Sequence, residues 1–130
     1  MKVLVDTCVW SAVLRRRSPD ADLSAKMKDL IESDRAVMIG PIRQELLSGI
    51  SDPAQFGKLR VMLSAFEDPA LRSEHFEKAA EFSNACRNAG VQGSSIDFLI
   101  CAVAAKEGWP IFTTDRDFER YRRRLPIRII

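Results

Sequence analysis

The sequence predicts an α/β fold in which a mainly parallel sheet carries helices on both faces. Three observations lead there. Short apolar runs alternate with longer segments of helical periodicity, the pattern that strand–helix–strand units require. The first run, "KVLVD", is continuously apolar rather than alternating, as expected of a strand covered on both faces. The chain has 130 residues, 46% hydrophobic and 29% charged, enough for one core and too apolar for disorder. A single domain over residues 1–130 is the expectation.

The elements follow in order. After the first strand, "TCVWSAVL" places Val9, Ala12 and Val13 at helical spacing, and the run Arg15–Arg16–Arg17 with "SPDAD" ends that helix in a loop. "LSAKMKDLIES" puts Leu23, Met27, Leu30 and Ile31 on one stripe of an amphipathic helix. "AVMIG" is the second strand, followed by the helix "GPIRQELLSG", with Pro41 in its first turn and Gly49 at its end. "AQFGKLRVMLSAF" carries the stripe Phe56, Leu59, Met62, Leu63 and Phe66, and "SEHFEKAAEFSNACRNAG" is a helix stopped at Gly90. "SSIDFLICAVAAKEG" is apolar nearly all round and should be a central, covered helix. "PIFTTD" is the third strand, "RDFERYRR" a short helix and "PIRII" a last strand.

Composition excludes several chemistries. The three cysteines, Cys8, Cys86 and Cys101, are widely spaced with no C-x-x-C pair, so they read as small core residues rather than a zinc site or disulfide framework. The single histidine, His75, reads as a surface helix residue with no catalytic part. With no nucleophile-elbow serine or cysteine, triad chemistry is disfavoured. No apolar run is long enough to cross a bilayer and the N-terminal run is too short for a secretory leader, so a cytoplasmic protein without membrane contact is expected.

The carboxylates carry the functional signal. In open α/β sheets the functional crevice lies at the carboxyl ends of the strands. Asp6 ends the first strand and Asp115 the third; Glu45 lies in the helix after the second, and Asp97 opens the apolar helix. Each alone has a structural explanation: Asp6 and Asp115 as helix caps, Glu45 as an exposed helical residue, Asp97 as the partner of Ser94 in a capping box. Together, acids recurring at successive strand ends are poorly explained by caps. Converging carboxylates repel and raise one another's pKa values. A hard divalent cation, Mg²⁺ or Mn²⁺, relieves that repulsion, takes oxygen ligands and favours phosphodiester hydrolysis.

Around those residues the sequence resembles a known family. "VLVDTCVWSAVL", "GPIRQELLSG" and "SSIDFLICAVAAKEGWPIFTTDRDF" together resemble the PIN-domain ribonucleases, most closely the VapC toxins of bacterial type II toxin–antitoxin pairs, over nearly the whole chain. The resemblance implies a PIN-like three-layer α/β/α sandwich. It implies a Mg²⁺- or Mn²⁺-dependent endoribonuclease acting on single-stranded regions of tRNA or rRNA, a cognate VapB-type antitoxin and a homodimer. Asp6 and Asp97 match the principal metal ligands, Glu45 and Asp115 the other acids of a quartet, and Asp117 a further acid. Thr7 and Thr113 match hydroxyls that orient ligands or substrate. The net charge of +2 is uninformative, but Arg15, Arg16, Arg116, Arg120 and Arg122 flank the acid motifs and could line the crevice mouth for RNA.

Three rivals stand beside this reading. A receiver-type phospho-acceptor domain would need a paired acid cluster near the first strand and a late lysine, where "IFTTDRDF" offers acids. A haloacid-dehalogenase-like phosphatase would want a second acid two residues after Asp6, where Cys8 stands. A non-catalytic RNA- or protein-binding module would use the carboxylates only as caps, and would take up no Mn²⁺ at them.

Overall fold

A computed structural model describes residues 1–15 and 20–130. The elements are β1 (Val3–Val5), α1 (Thr7–Arg15), α2 (Ala21–Glu32), β2 (Ala36–Val37), α3 (Gly40–Leu47), α4 (Pro53–Leu63), α5 (Ser73–Asn88), α6 (Ser95–Glu107), β3 (Ile111–Phe112) and α7 (Asp117–Arg122). The strands form one parallel sheet in the order β2–β1–β3, with Leu4 opposite Val37 on one side and Ile111 on the other. Val3, Leu4 and Val5 are all fully buried. Successive strand residues point to opposite faces, so helices cover both faces of β1, as its unbroken apolar run requires.

The helix boundaries obey local chemistry. Asp20 and Asp52 cap α2 and α4 through their side chains, and Ser94 caps α6 by accepting from the Asp97 N–H at 3.1 Å. Gly108 ends α6 in the left-handed region, φ 75°, where a side chain would be strained. From Phe98 to Ala104 every residue of α6 is buried, and α5 packs along it.

Four expectations need correction. "PIRII" is not a strand: Ile129 makes one parallel bridge to Ile111. Pro126 has no N–H to give to a ladder, and the Ile127 N–H turns back to the Leu125 carbonyl at 2.9 Å. "AVMIG" pairs only at Ala36 and Val37, although Met38 and Ile39 stay buried. The stripes of α2 and α4 are only partly core. Met27, Leu30, Leu59 and Leu63 are buried, but Ile31, Phe56 and Met62 stand at the surface, beside the still more exposed Val61. His75 is not a surface residue. It is buried, accepts the Arg72 N–H at Nδ1 (3.0 Å) and meets Glu107 through Nε2 at 3.0 Å, closing the first turn of α5.

Arg43 locks the helix that carries Glu45. Its guanidinium holds Asp68 with two nitrogens, at 2.7 and 3.1 Å, and donates to the Leu63 and Phe66 carbonyls. Trp10, fully buried, donates from Nε1 to the Val5 carbonyl at 3.1 Å and meets Phe66 edge-on, so it belongs to the core behind Asp6. Arg43→Leu strands a half-buried carboxylate and two carbonyls. It is expected to lower stability by about 2 kcal/mol, read from denaturant unfolding; a loss within error of zero would show the network to be solvent-replaceable.

Candidate active site

The carboxyl ends of β1 and β3 lie side by side, because the Asp6 N–H continues the ladder to the Phe112 carbonyl at 2.9 Å. Asp6 is buried. Its carbonyl accepts the Val9 and Trp10 amides, so it starts α1 as a cap would. Its carboxylate is held as well. Oδ1 accepts the Thr7 N–H at 2.7 Å; Oδ2 accepts the Thr113 hydroxyl at 2.8 Å and the Cys8 thiol at 3.4 Å. The cap and the aimed carboxylate therefore coexist.

From Thr113 a chain of local bonds orders the acidic loop. The Asp115 N–H donates to Thr113 Oγ1 at 3.0 Å, and the Asp117 N–H to Asp115 Oδ1 at 2.9 Å. These turns explain how two carboxylates fit into "TTDRDF" without a strand. Across from the loop, α6 presents Asp97 from its first turn. One carboxylate oxygen each from Asp97, Asp115 and Asp117 lie within 4.8 Å of one another. The trio is thus drawn from the last third of the chain, and it includes Asp117, which the sequence resemblance offered only as a further acid beyond the quartet.

Glu45 is not in that trio. It is exposed on α3 and accepts the Thr7 hydroxyl at 2.6 Å, so Thr7 ties it to Asp6 by giving its N–H to one and its O–H to the other.

The electrostatics fit crowded acids. Burial raises the Asp6 pKa above its ordinary 3.8, opposed by the bonds from Thr113, Thr7 and Cys8, with repulsion from Asp115 adding to the rise. Asp97 is raised too, by burial first. The Tyr121 hydroxyl and Ser94 oppose that rise, and the charges of Asp6 and Asp115 reinforce it. Asp6, Asp97 and Asp115 therefore share one field, with Asp117 beside them.

The arginines stand less freely than anticipated. Arg120 pairs with Asp117 at 3.2 Å and Arg122 with Glu119, one helical turn away in each case. Arg116 is exposed and makes no ion pair among the described residues. Arg16, Arg17 and the side chain of Arg15 lie outside the described residues.

Sequence reasoning missed two groups. Cys8 is not core: it is half-buried at the site, between Asp6 and the hydroxyls of Thr113 and Thr114. Its place two residues after Asp6, in the first turn of α1, was the available signal. Tyr121 is fully buried and donates its hydroxyl to Asp97 Oδ2 at 2.7 Å. It is the chain's only tyrosine, and a buried phenol needs a partner.

Comparison with known proteins identifies the family. Residues 3–124 match the PIN domain. A VapC ribonuclease of Mycobacterium bovis is 31% identical over 121 residues, covering 90% of this chain and 89% of the relative. Ribonuclease VapC11 of Mycobacterium tuberculosis matches to the same extent, 31% over 121 residues. Among solved structures, FitAcB of Neisseria gonorrhoeae superposes with a TM-score of 0.80 at 19% identity, covering 98% of this chain and 96% of that one. VapBC2 of Rickettsia felis, bound to a DNA fragment from its promoter, superposes with a TM-score of 0.74 at 18% identity over 99% and 96%. With the parallel sheet, the acids at its carboxyl edge and the match from residue 3 to residue 124, the chain belongs to the PIN-domain family and is similar to its VapC ribonucleases.

Proposed function

We propose that this PIN-domain protein is a divalent-metal-dependent endoribonuclease that cuts single-stranded regions of RNA such as tRNA or rRNA loops. In this reading it is the toxin of a type II toxin–antitoxin pair. The observation that carries the chemistry is the convergence of carboxylates, with no imidazole among them, at the carboxyl edge of the sheet. The donor set is all oxygen apart from the neighbouring thiol of Cys8, which suits Mg²⁺ or Mn²⁺ rather than zinc.

Asp97, Asp115 and Asp117 would hold the ion, with Asp6 beside them and Glu45 at the rim. When bound, the ion offsets the carboxylate charge, polarises the phosphodiester and activates water. The protein's own residues do the rest. Thr7 and Thr113 fix both oxygens of Asp6, which spares the site reorganisation during reaction. Glu45 has one oxygen engaged by Thr7 and is exposed, so it can take a proton at the rim.

The test is cleavage of a pool of cellular RNA by purified, partner-free protein with Mg²⁺ or Mn²⁺ and with EDTA. Discrete cuts that EDTA abolishes support the reading. Folded protein that neither cuts nor takes up Mn²⁺ is a binding module instead.

RNA must approach an acidic crevice, so basic groups at its rim matter. Arg116, exposed and without an acidic partner among the described residues, serves this best. Arg116→Ala is expected to weaken RNA binding and to reduce the slope of log K against log salt by about 1. Arg122→Ala, whose charge is already met by Glu119, should change the slope less. Equal slopes for wild type and Arg116→Ala would remove Arg116 from the RNA path.

The partner in this reading is a VapB-type antitoxin. Phe56, Val61 and Met62 leave apolar side chains exposed around α4, surface that a docked partner would cover. A homodimer and a cytoplasmic location complete the proposal. Among the described residues, no helix is long and apolar enough to cross a membrane.

A further inference from the structure

We infer that Tyr121 is a positioning residue for the metal-binding carboxylate of Asp97, and that position 93 is glycine because this contact needs the space. The inference rests on the proposed reading of Asp97 as a metal ligand.

The ring of Tyr121 has no freedom to adjust. It is fully buried, with the Phe98 and Phe118 rings each centred 5.1 Å away, one tilted and one edge-on. Its hydroxyl lies 2.7 Å from Asp97 Oδ2. The Asp97 backbone is fixed separately, its N–H held by Ser94 Oγ. The backbone bond sets where the side chain starts, and the phenol sets how the carboxylate is turned. Oδ2 accepts the phenol O–H, and the other oxygen is left outside that bond. A phenol suits this task better than a basic side chain, because it donates a hydrogen bond without bringing a positive charge that would compete with a cation.

Gly93 supplies independent support. Its backbone is not in the left-handed region, so conformational freedom does not call for glycine there. Space does. A Cβ at this position would overlap the Tyr121 hydroxyl and lie 2.8 Å from Tyr121 Cζ and 2.9 Å from Phe98 Cζ. These are atoms of packed rings rather than flexible chain ends. Any side chain at 93 therefore displaces the hydroxyl that holds Asp97.

The experiment measures Mn²⁺ affinity by calorimetry, and the thermal midpoint in EDTA, for wild type and four variants. Tyr121→Phe keeps the ring and removes only the oxygen. It is expected to fold with a nearly unchanged midpoint in EDTA and to bind Mn²⁺ about 10-fold more weakly, the usual scale for losing a residue that orients a ligand. Gly93→Ala should weaken Mn²⁺ binding similarly. Gly93→Ala combined with Tyr121→Phe should weaken it little beyond Tyr121→Phe alone, since the remaining overlap with ring carbons at 121 and 98 no longer acts through a hydrogen bond to Asp97. Asp97→Asn marks full loss.

Wild type that binds Mn²⁺, Asp97→Asn that does not, and Tyr121→Phe that binds as wild type would overturn the inference and leave the metal site standing. Gly93→Ala that costs the same with and without the hydroxyl would overturn the part assigned to Gly93. Wild type that binds no Mn²⁺ would overturn the metal reading and this inference together.

Discussion

Asp6→Asn and Asp97→Asn are each expected to lower RNA cleavage by at least about 10³-fold, roughly 4 kcal/mol of transition-state stabilisation. Both substitutions conserve shape. The amide oxygen that replaces a carboxylate oxygen at position 97 can still accept the Tyr121 hydroxyl, and the one at position 6 can still accept the Thr7 N–H, so the fold should persist. What each variant loses is one negative charge from a group that burial and repulsion already hold closer to neutrality than an ordinary carboxylate. Single-turnover cleavage at saturating Mg²⁺ is the measurement. A variant retaining more than a tenth of wild-type activity would show that the ion site does not need its carboxylate.

The same Asp97→Asn variant is expected to be more stable than wild type without metal. Folding raises the pKa of Asp97 above 3.8, chiefly by burial, so the folded state holds a proton where the unfolded chain has released it. Stability therefore falls as pH climbs from the ordinary carboxylate value through the raised one, and stays lower above it. Asparagine carries no such penalty. Its advantage should be near zero in acid below that window and reach roughly 1 kcal/mol at neutral pH, kept modest because Asp97 is only half-buried. Mn²⁺ at about 100 times its Kd should reverse the order, stabilising wild type by about 2.7 kcal/mol and the variant not at all. Thermal midpoints across pH, with and without Mn²⁺, read both effects. An Asp97→Asn variant less stable than wild type in EDTA at neutral pH would refute the picture of a strained, charge-crowded site.

Much of this was legible in the sequence. The continuous run Val3–Leu4–Val5 announced a strand buried on both faces, and the all-apolar Phe98–Ala104 announced the central helix, because burial leaves little choice of side chain. The acids were legible because strand ends in a parallel sheet gather at one edge. What stayed hidden depends on distances that no local pattern encodes. Asp117, rather than Glu45, joins Asp97 and Asp115 because successive hydrogen bonds fold the loop after β3 back on itself. Cys8 and His75 were misplaced because their residue types suit core and surface alike. Only tertiary packing put the thiol against Asp6 and buried the imidazole beneath Glu107. "PIRII" has strand-like composition, yet Pro126 and the inward turn of Ile127 leave it one bridge.

The order of the strands in space sets a schedule for synthesis. Asp6 is made well before the hydroxyl that grips it, because Thr113 lies 107 positions later. β1 acquires its β3 neighbour only after residues 111–112 exist, and Tyr121 comes later still. A growing chain therefore carries Asp6 without its complete surroundings until Thr113 and Tyr121 have been made. For a protein whose proposed substrate is the RNA of the translation apparatus, the topology withholds a competent site from any nascent chain that has not yet reached Tyr121.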